Sequence, residues 1–142
     1  MFNKEESKQI RQEFWTTFGQ QYPRKWLLYN TKIKELVLKF TFTTKIAQVS
    51  IDIESKEELY KEYYYDKLWS LETILKTQYL PKITLDPHYE LAPNRLVSRA
   101  YVELEGVSIH DKRTWPRTFE FFYENMTQLE LFFHEFAHFI RD

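Results

Sequence analysis

Apolar and polar positions alternate along this chain with two different periods. From Thr114 to Ile140, the residues Trp115, Phe119, Phe122, Met126, Leu129, Phe133, Phe136 and Ile140 recur at steps of four and three. That spacing places them on one face of a long closing helix. Pro116 falls in its first turn, where a missing N–H costs nothing. A second helix is predicted from about Lys4 to Gln21, with Ile10, Phe14, Phe18 and Tyr22 in step and Gly19 and Pro23 at its end. A third runs from Ser55, with Glu58 as its capping-box partner, to Tyr79 before Pro81. Its stripe is Tyr60, Tyr64, Leu68, Leu71, Leu75 and Tyr79.

Elsewhere the period is two. Leu36, Leu38, Phe40 and Phe42 alternate with Lys39, Thr41 and Thr43 in a strand over Lys34 to Thr43. Ala47, Val49, Ile51 and Ile53 alternate with Gln48, Ser50 and Asp52 in the next. The short gap between them predicts an antiparallel hairpin. Ser98 to Ile109 is a further strand, with Ala100, Val102 and Leu104 on one side and Tyr101, Glu103 and Glu105 on the other. Gly106 marks a bulge in it. A short strand is expected at Ile83 to Leu85, and His88 to Asn94, with Pro87 and Pro93, reads as a loop. One apolar and one polar face per strand is the mark of a sheet covered on one side.

The predicted fold is α+β, one domain over residues 1–142. It has an antiparallel sheet of about four strands and three long helices packed on one face. The order is helix, strand, strand, helix, strand, strand, helix.

Composition narrows the function. Of 142 residues 43% are hydrophobic and 18% aromatic, enough for a substantial core. Net charge is −1, so no global field gathers phosphate backbones, and nucleic acid is expected only through a local patch. There is no cysteine, hence no disulfide and no thiolate metal site. Met1 to Gln9 carries no apolar run of a secretory signal, and no stretch is long enough for a membrane span. A cytoplasmic location is expected. With two glycines, Gly19 and Gly106, a Gly-rich phosphate loop is absent, and no cofactor is expected.

Two strings carry candidate chemistry. His134-Glu135-x-x-His138 matches the zinc-peptidase pattern, in which two histidines one turn apart hold the ion and the Glu acts as base. From the centre of the apolar stripe, His134 lies roughly 115° away and His138 roughly 155° away. Both imidazoles are therefore expected in solvent, with no third ligand downstream except Asp142, and no metal is assigned to them. Asp52, Glu54 and Lys56 have the acidic-x-acidic and lysine layout of nuclease strands, where carboxylates hold Mg²⁺ and the lysine steadies a phosphate. Glu35 is the nearest acid from a neighbouring strand. The competing reading is a polar strand face running into a capped helix. Tyr63-Tyr64-Tyr65 and Trp69 invite base stacking, but Tyr60, Tyr64 and Leu68 read as core.

Several stretches in order resemble a known family. They are Arg11 to Trp15 with Phe18-Gly19, Val49 to Glu54, Ser98 to Leu104, Gly106 to Ile109, and Trp115-Pro116 ahead of Phe121-Phe122. Together they look like the bacterial domain of unknown function 4268. The resemblance implies no established activity. Members stand alone or follow nuclease-like and other DNA-handling parts, which implies an accessory role near nucleic acid by association. The family pattern does not include the His134 and His138 pair.

The leading expectation is a non-enzymatic binding or accessory domain. Its contact surface is the uncovered sheet face with Lys39, Thr41, Ser50, Asp52, Tyr101 and Glu103, used for a protein partner or a homodimer mate. A metal-dependent nuclease using Asp52, Glu54 and Lys56 is the first alternative. A zinc peptidase is the second.

Overall fold

The computed structural model describes residues 2–142. Its helices are α1 (Lys4–Gln21), α2 (Glu58–Ser70), α3 (Glu72–Gln78) and α4 (Trp115–Arg141). Its strands are β1 (Leu36–Phe42), β2 (Ile46–Ile53), β3 (Thr84–Ala92) and β4 (Arg95–Glu105). A 3-10 turn, Lys112–Thr114, leads into α4. The fold is α+β, with a four-stranded antiparallel sheet in the order β1-β2-β4-β3 and four helices. Among the described residues no helix is long and apolar enough to cross a membrane.

The expected order differs from the observed one in the middle of the chain. The helix predicted to run unbroken to Tyr79 is divided at Leu71 into α2 and α3. A local hydrogen bond explains the break. The Ser70 hydroxyl donates to the Lys67 carbonyl at 2.7 Å. The Leu71 amide, which would take that carbonyl in a continuous helix, bonds instead to Leu68 at 3.0 Å. Leu68, Leu71 and Leu75 are buried across the break, so the apolar stripe hides it. Tyr60, expected in the core, is exposed, and Tyr64 is half-buried. The capping box is also absent. Ser55 accepts from the Glu57 amide at 3.0 Å, and the helix begins one turn later without a side-chain cap.

The second correction concerns β3. The expected loop from His88 to Asn94 is mostly strand, and β4 starts at Arg95, three residues earlier than predicted. Pro87 misleads the sequence reading because proline is disfavoured in a ladder. It is tolerated here because β3 is an edge strand and Pro87 sits in a bulge. Two residues, Pro93 and Asn94, make the turn, Asn94 with φ 64°. At the other end β4 does not reach Ile109. Gly106, with φ 73°, turns the chain out of the ladder. Val107 and Ile109 stay buried, and the Ile109 amide donates to Thr43 at 2.9 Å.

The helices and the side of the sheet that carries the odd-numbered residues of β2 share one core. Leu36 and Leu38 of β1, Ala47, Val49, Ile51 and Ile53 of β2, and Ala100 and Val102 of β4 meet Phe14, Phe18, Leu68, Leu75 and the buried stripe of α4. The densest part is aromatic. Phe122 is fully buried with Phe14, Trp15, Phe18, Phe40 and Phe42 around it, at ring-centroid distances of 4.9–6.1 Å. The connector from Arg24 to Thr31 is tied to α4 by Glu130. That carboxylate accepts the Leu27 amide at 2.6 Å and pairs with Arg24, which lies 3.9 Å above the Trp26 ring.

Candidate functional site

The even phase of β2 and the facing positions of its neighbours form the other side of the sheet. Register sets Lys39 beside Ser50, Ser50 beside Tyr101, Asp52 beside Arg99, and Gln48 beside Glu103. Every partner in this group comes from a strand or the residue just past one. Arg99 holds both oxygens of Asp52, Nε to Oδ1 and Nη2 to Oδ2, each at 2.7 Å. Its Nη1 donates to the Gln48 side-chain carbonyl at 2.8 Å. Gln48 donates onward to Glu103 at 2.8 Å and to the Tyr89 hydroxyl at 3.2 Å. Lys39 bridges Asp52 at 3.4 Å and Glu54 at 3.1 Å, and Arg95 reaches Glu54 at 3.5 Å.

A bulge in β3 puts Tyr89 in this network. Asp86 pairs with Arg99 and Tyr89 with Val97, so β3 spends one more residue than β4 across the interval. The Ser98 hydroxyl fills the gap by donating to the Pro87 carbonyl at 2.9 Å. One extra residue reverses the phase of a strand. Tyr89 is thereby carried onto the polar face, where its ring lies 4.4 Å from the Arg99 guanidinium and 5.3 Å from the Tyr101 ring.

Burial by itself works to lower the pKa of Arg99, but hydrogen bonding and charge from Asp52 outweigh it and hold the pKa above the ordinary value. Burial raises the pKa of Tyr101, and the charge of Glu103 adds to the effect.

The expected open surface is corrected by this geometry. Gln48, Ser50 and Asp52 are fully buried and Arg99 is 2% exposed. Short side chains of the central strand are roofed by the longer ones beside them. Lys39, Thr41 and Tyr101 are half-buried, and Glu103 is exposed. The Ser50 hydroxyl finds no partner among the described residues. Arg99, Gln48 and Tyr89 were missed as site residues. The signal for Arg99 was present, since it stands two positions before Tyr101 in the same alternation. That for Tyr89 was hidden by the bulge.

The nuclease-like string is divided. Glu54 and Lys56 line a cleft of about 600 Å³ with Lys34, Glu35, Glu57 and Tyr60. Glu35 and Glu54 are joined by a backbone bond of 2.7 Å. Asp52 lies outside that lining, held by Arg99. Among the described residues no three His, Cys, Asp or Glu side chains converge so that they could hold a metal ion. His134, Glu135 and His138 are exposed on α4. Tyr63 bonds through its hydroxyl to the Asp142 carbonyl, and Trp69 stays exposed beside Tyr65.

Residues 10–137 match the family model described as Domain of unknown function (DUF4268). The chain belongs to this family. No curated protein and no solved structure matches it. The DUF4268 span takes in both hairpins, the whole polar network and the Glu54 cleft, and stops one residue short of His138.

Proposed function

We propose that this DUF4268 chain is a non-enzymatic, cytoplasmic binding domain, an accessory to DNA-handling systems, which engages a protein partner or a second copy through the polar face of its sheet. One observation carries the reading. The Asp52 carboxylate, the one fully buried acid among the described residues, has both oxygens taken up by Arg99, and Arg99 is linked in turn through Gln48 to Glu103 and Tyr89. Such a face is rigid. Lys39, Thr41, Tyr101 and Glu103 are presented by neighbours already fixed in place, which lowers the ordering cost of association. Tyr101 adds an amphipathic ring of the kind that anchors interfaces. The accessory role near DNA rests on the family association.

The test compares wild type with Tyr101→Asp in the same assays. Crosslinking in cells is expected to place a partner's lysines or a second copy at Lys39, and light scattering to show whether that mate is another copy. Tyr101→Asp removes the contact with the far-ultraviolet spectrum unchanged. If the variant keeps every crosslink at Lys39, the face is not the contact surface.

The gathering of Glu35, Glu54 and Lys56 in one cleft favours a second reading, a metal-dependent nuclease. There Glu54 and Glu35 would hold Mg²⁺, which would supply charge stabilisation at a phosphate, and Lys56 would steady that phosphate, while Asp52 would take part only after its ion pair opens. Mg²⁺-dependent cleavage of DNA or RNA by the purified chain, abolished in Glu54→Gln, establishes this reading and ends the first.

A further inference from the structure

β4 is longer than the strand on its outer side. β3 accompanies it only from Arg95 to Tyr101, whereas β2 follows it to Glu105. Beyond Tyr101, one flank of β4 has no strand beside it.

The ladder settles which backbone groups face that gap. The Glu54 amide donates to Glu35 across the β1–β2 pair, as Thr43 does to Ile46 at the turn. Even-numbered residues of β2 therefore aim their amides and carbonyls at β1, and odd-numbered ones at β4. Since Ala47 pairs with Leu104 and Val49 with Val102, the even residues of β4 answer β2. The odd residues of β4 face the other flank. Arg99 and Tyr101 meet Asp86 and Thr84 there. Glu103 and Glu105 meet no strand among the described residues. The chain that leads into β3 turns inward instead, with Leu80 and Ile83 buried and the Ile83 amide on Leu80.

A cleft of about 450 Å³ opens at this flank. Leu80, Leu104 and Phe121 give it an apolar lining, with Lys82, Glu124 and Asn125 around them. The side chains alternate along the edge. Leu104 points to the helix side and into the cleft, while Glu103 and Glu105 are exposed on the polar side.

We infer that the Val102–Glu105 edge of β4 takes an extended peptide segment with a basic–apolar–basic pattern, added antiparallel in line with β3. The exposed amides and carbonyls of Glu103 and Glu105 supply the ladder bonds, and alternate side chains supply selectivity. The apolar residue opposite Leu104 enters the cleft. The basic residues on either side meet Glu103 and Glu105. A second copy of this chain is the poorer occupant. An antiparallel two-fold pairing centred on Glu103, Leu104 or Glu105 sets glutamate against glutamate, and like charges directly opposite are destabilising. The surface is separate from the polar face proposed above, with Glu103 common to both.

Fluorescence anisotropy with the intact chain and a labelled lysine–leucine–lysine–valine–lysine peptide tests this. Saturable binding is expected, and none to the glutamate-for-lysine peptide. N-methylation of the lysine amides, which face the edge, weakens binding at least about tenfold, whereas N-methylation of the leucine and valine amides changes it by less than about twofold. The Glu103→Lys, Glu105→Lys double variant reverses the preference towards the acidic peptide. Tyr101→Asp leaves peptide binding in place, which separates this surface from the polar face. No binding of the lysine peptide, equal binding of both peptides, or equal effects of the two N-methyl sets overturns the proposal. So does a dimer by light scattering that Glu105→Lys dissolves, because the edge is then occupied by a second copy.

Discussion

On one side of the sheet, Val49 and Ile51 belong to a core of rings and aliphatic chains to which all four helices contribute. On the other, Gln48 and Asp52, their immediate neighbours in the chain, meet Arg99, Lys39 and Tyr89 from strands alone. Both sets are fully buried. The apolar side gains from area removed from water, which is non-directional and tolerates adjustment. The polar side depends on each donor having its acceptor, because an unpaired buried charge costs far more than a paired one returns. Two buried layers back to back should therefore fail differently. The apolar layer should fail in proportion to the volume removed. The polar layer should fail abruptly when one partner goes and recover when both go.

The largest effect is expected in the aromatic cluster. Phe122→Ala should lower the free energy of unfolding by about 4 kcal/mol in urea titration, since the ring is fully enclosed by others. Phe122→Leu should recover more than half of that. A loss under about 1 kcal/mol would mean that the cluster is not tightly packed.

Arg99→Leu should cost about 3 kcal/mol by leaving the Asp52 carboxylate buried and unpaired. Adding Asp52→Leu should bring stability back to within about 1–2 kcal/mol of wild type. Losses that simply add in the double variant would break the contrast between the two layers.

A smaller loss is expected at the tie between connector and closing helix. Glu130→Ala removes the acceptor of the Leu27 amide and the partner of Arg24, and should cost about 2 kcal/mol. Hydrogen exchange should then quicken at Leu27 before it changes in β2.

The smallest effect is a pH dependence. Burial raises the folded-state pKa of Tyr101 above the ordinary tyrosine value of 10.0. The folded state then keeps the phenol proton that the unfolded state releases, so stability is full below pH about 10 and falls as pH rises through the folded value. Tyr101→Phe should flatten that alkaline decline without altering stability at neutral pH. An unchanged slope would locate the titration in Tyr64 or Tyr65, whose pKa values are also raised by burial.

The fold was legible wherever the chain obeyed one period. The α4 stripe from Trp115 to Ile140 and the β1–β2 hairpin stand as their alternation predicts. The polar face was legible only as a set of positions. Lys39, Ser50, Asp52, Tyr101 and Glu103 do share one side, but the reading of them as an open surface missed that Arg99 and Tyr89 close over the centre. Exposure depends on what a neighbour from another strand extends across, and period alone carries no such information.

Local rules acting on adjacent residues needed nothing beyond the sequence: helical and strand phases, proline at a helix start, and the α+β class follow from sterics and side-chain direction over a few positions. The tertiary structure alone decided the bulge that swings Tyr89 onto Arg99 and the unmatched end of β4. Both turn on hydrogen bonds that are made or left open once distant segments meet, and a linear pattern of apolar and polar letters does not encode that choice. The division of α2 from α3 is local, a Ser70 hydroxyl on the Lys67 carbonyl, and an unbroken apolar stripe conceals it.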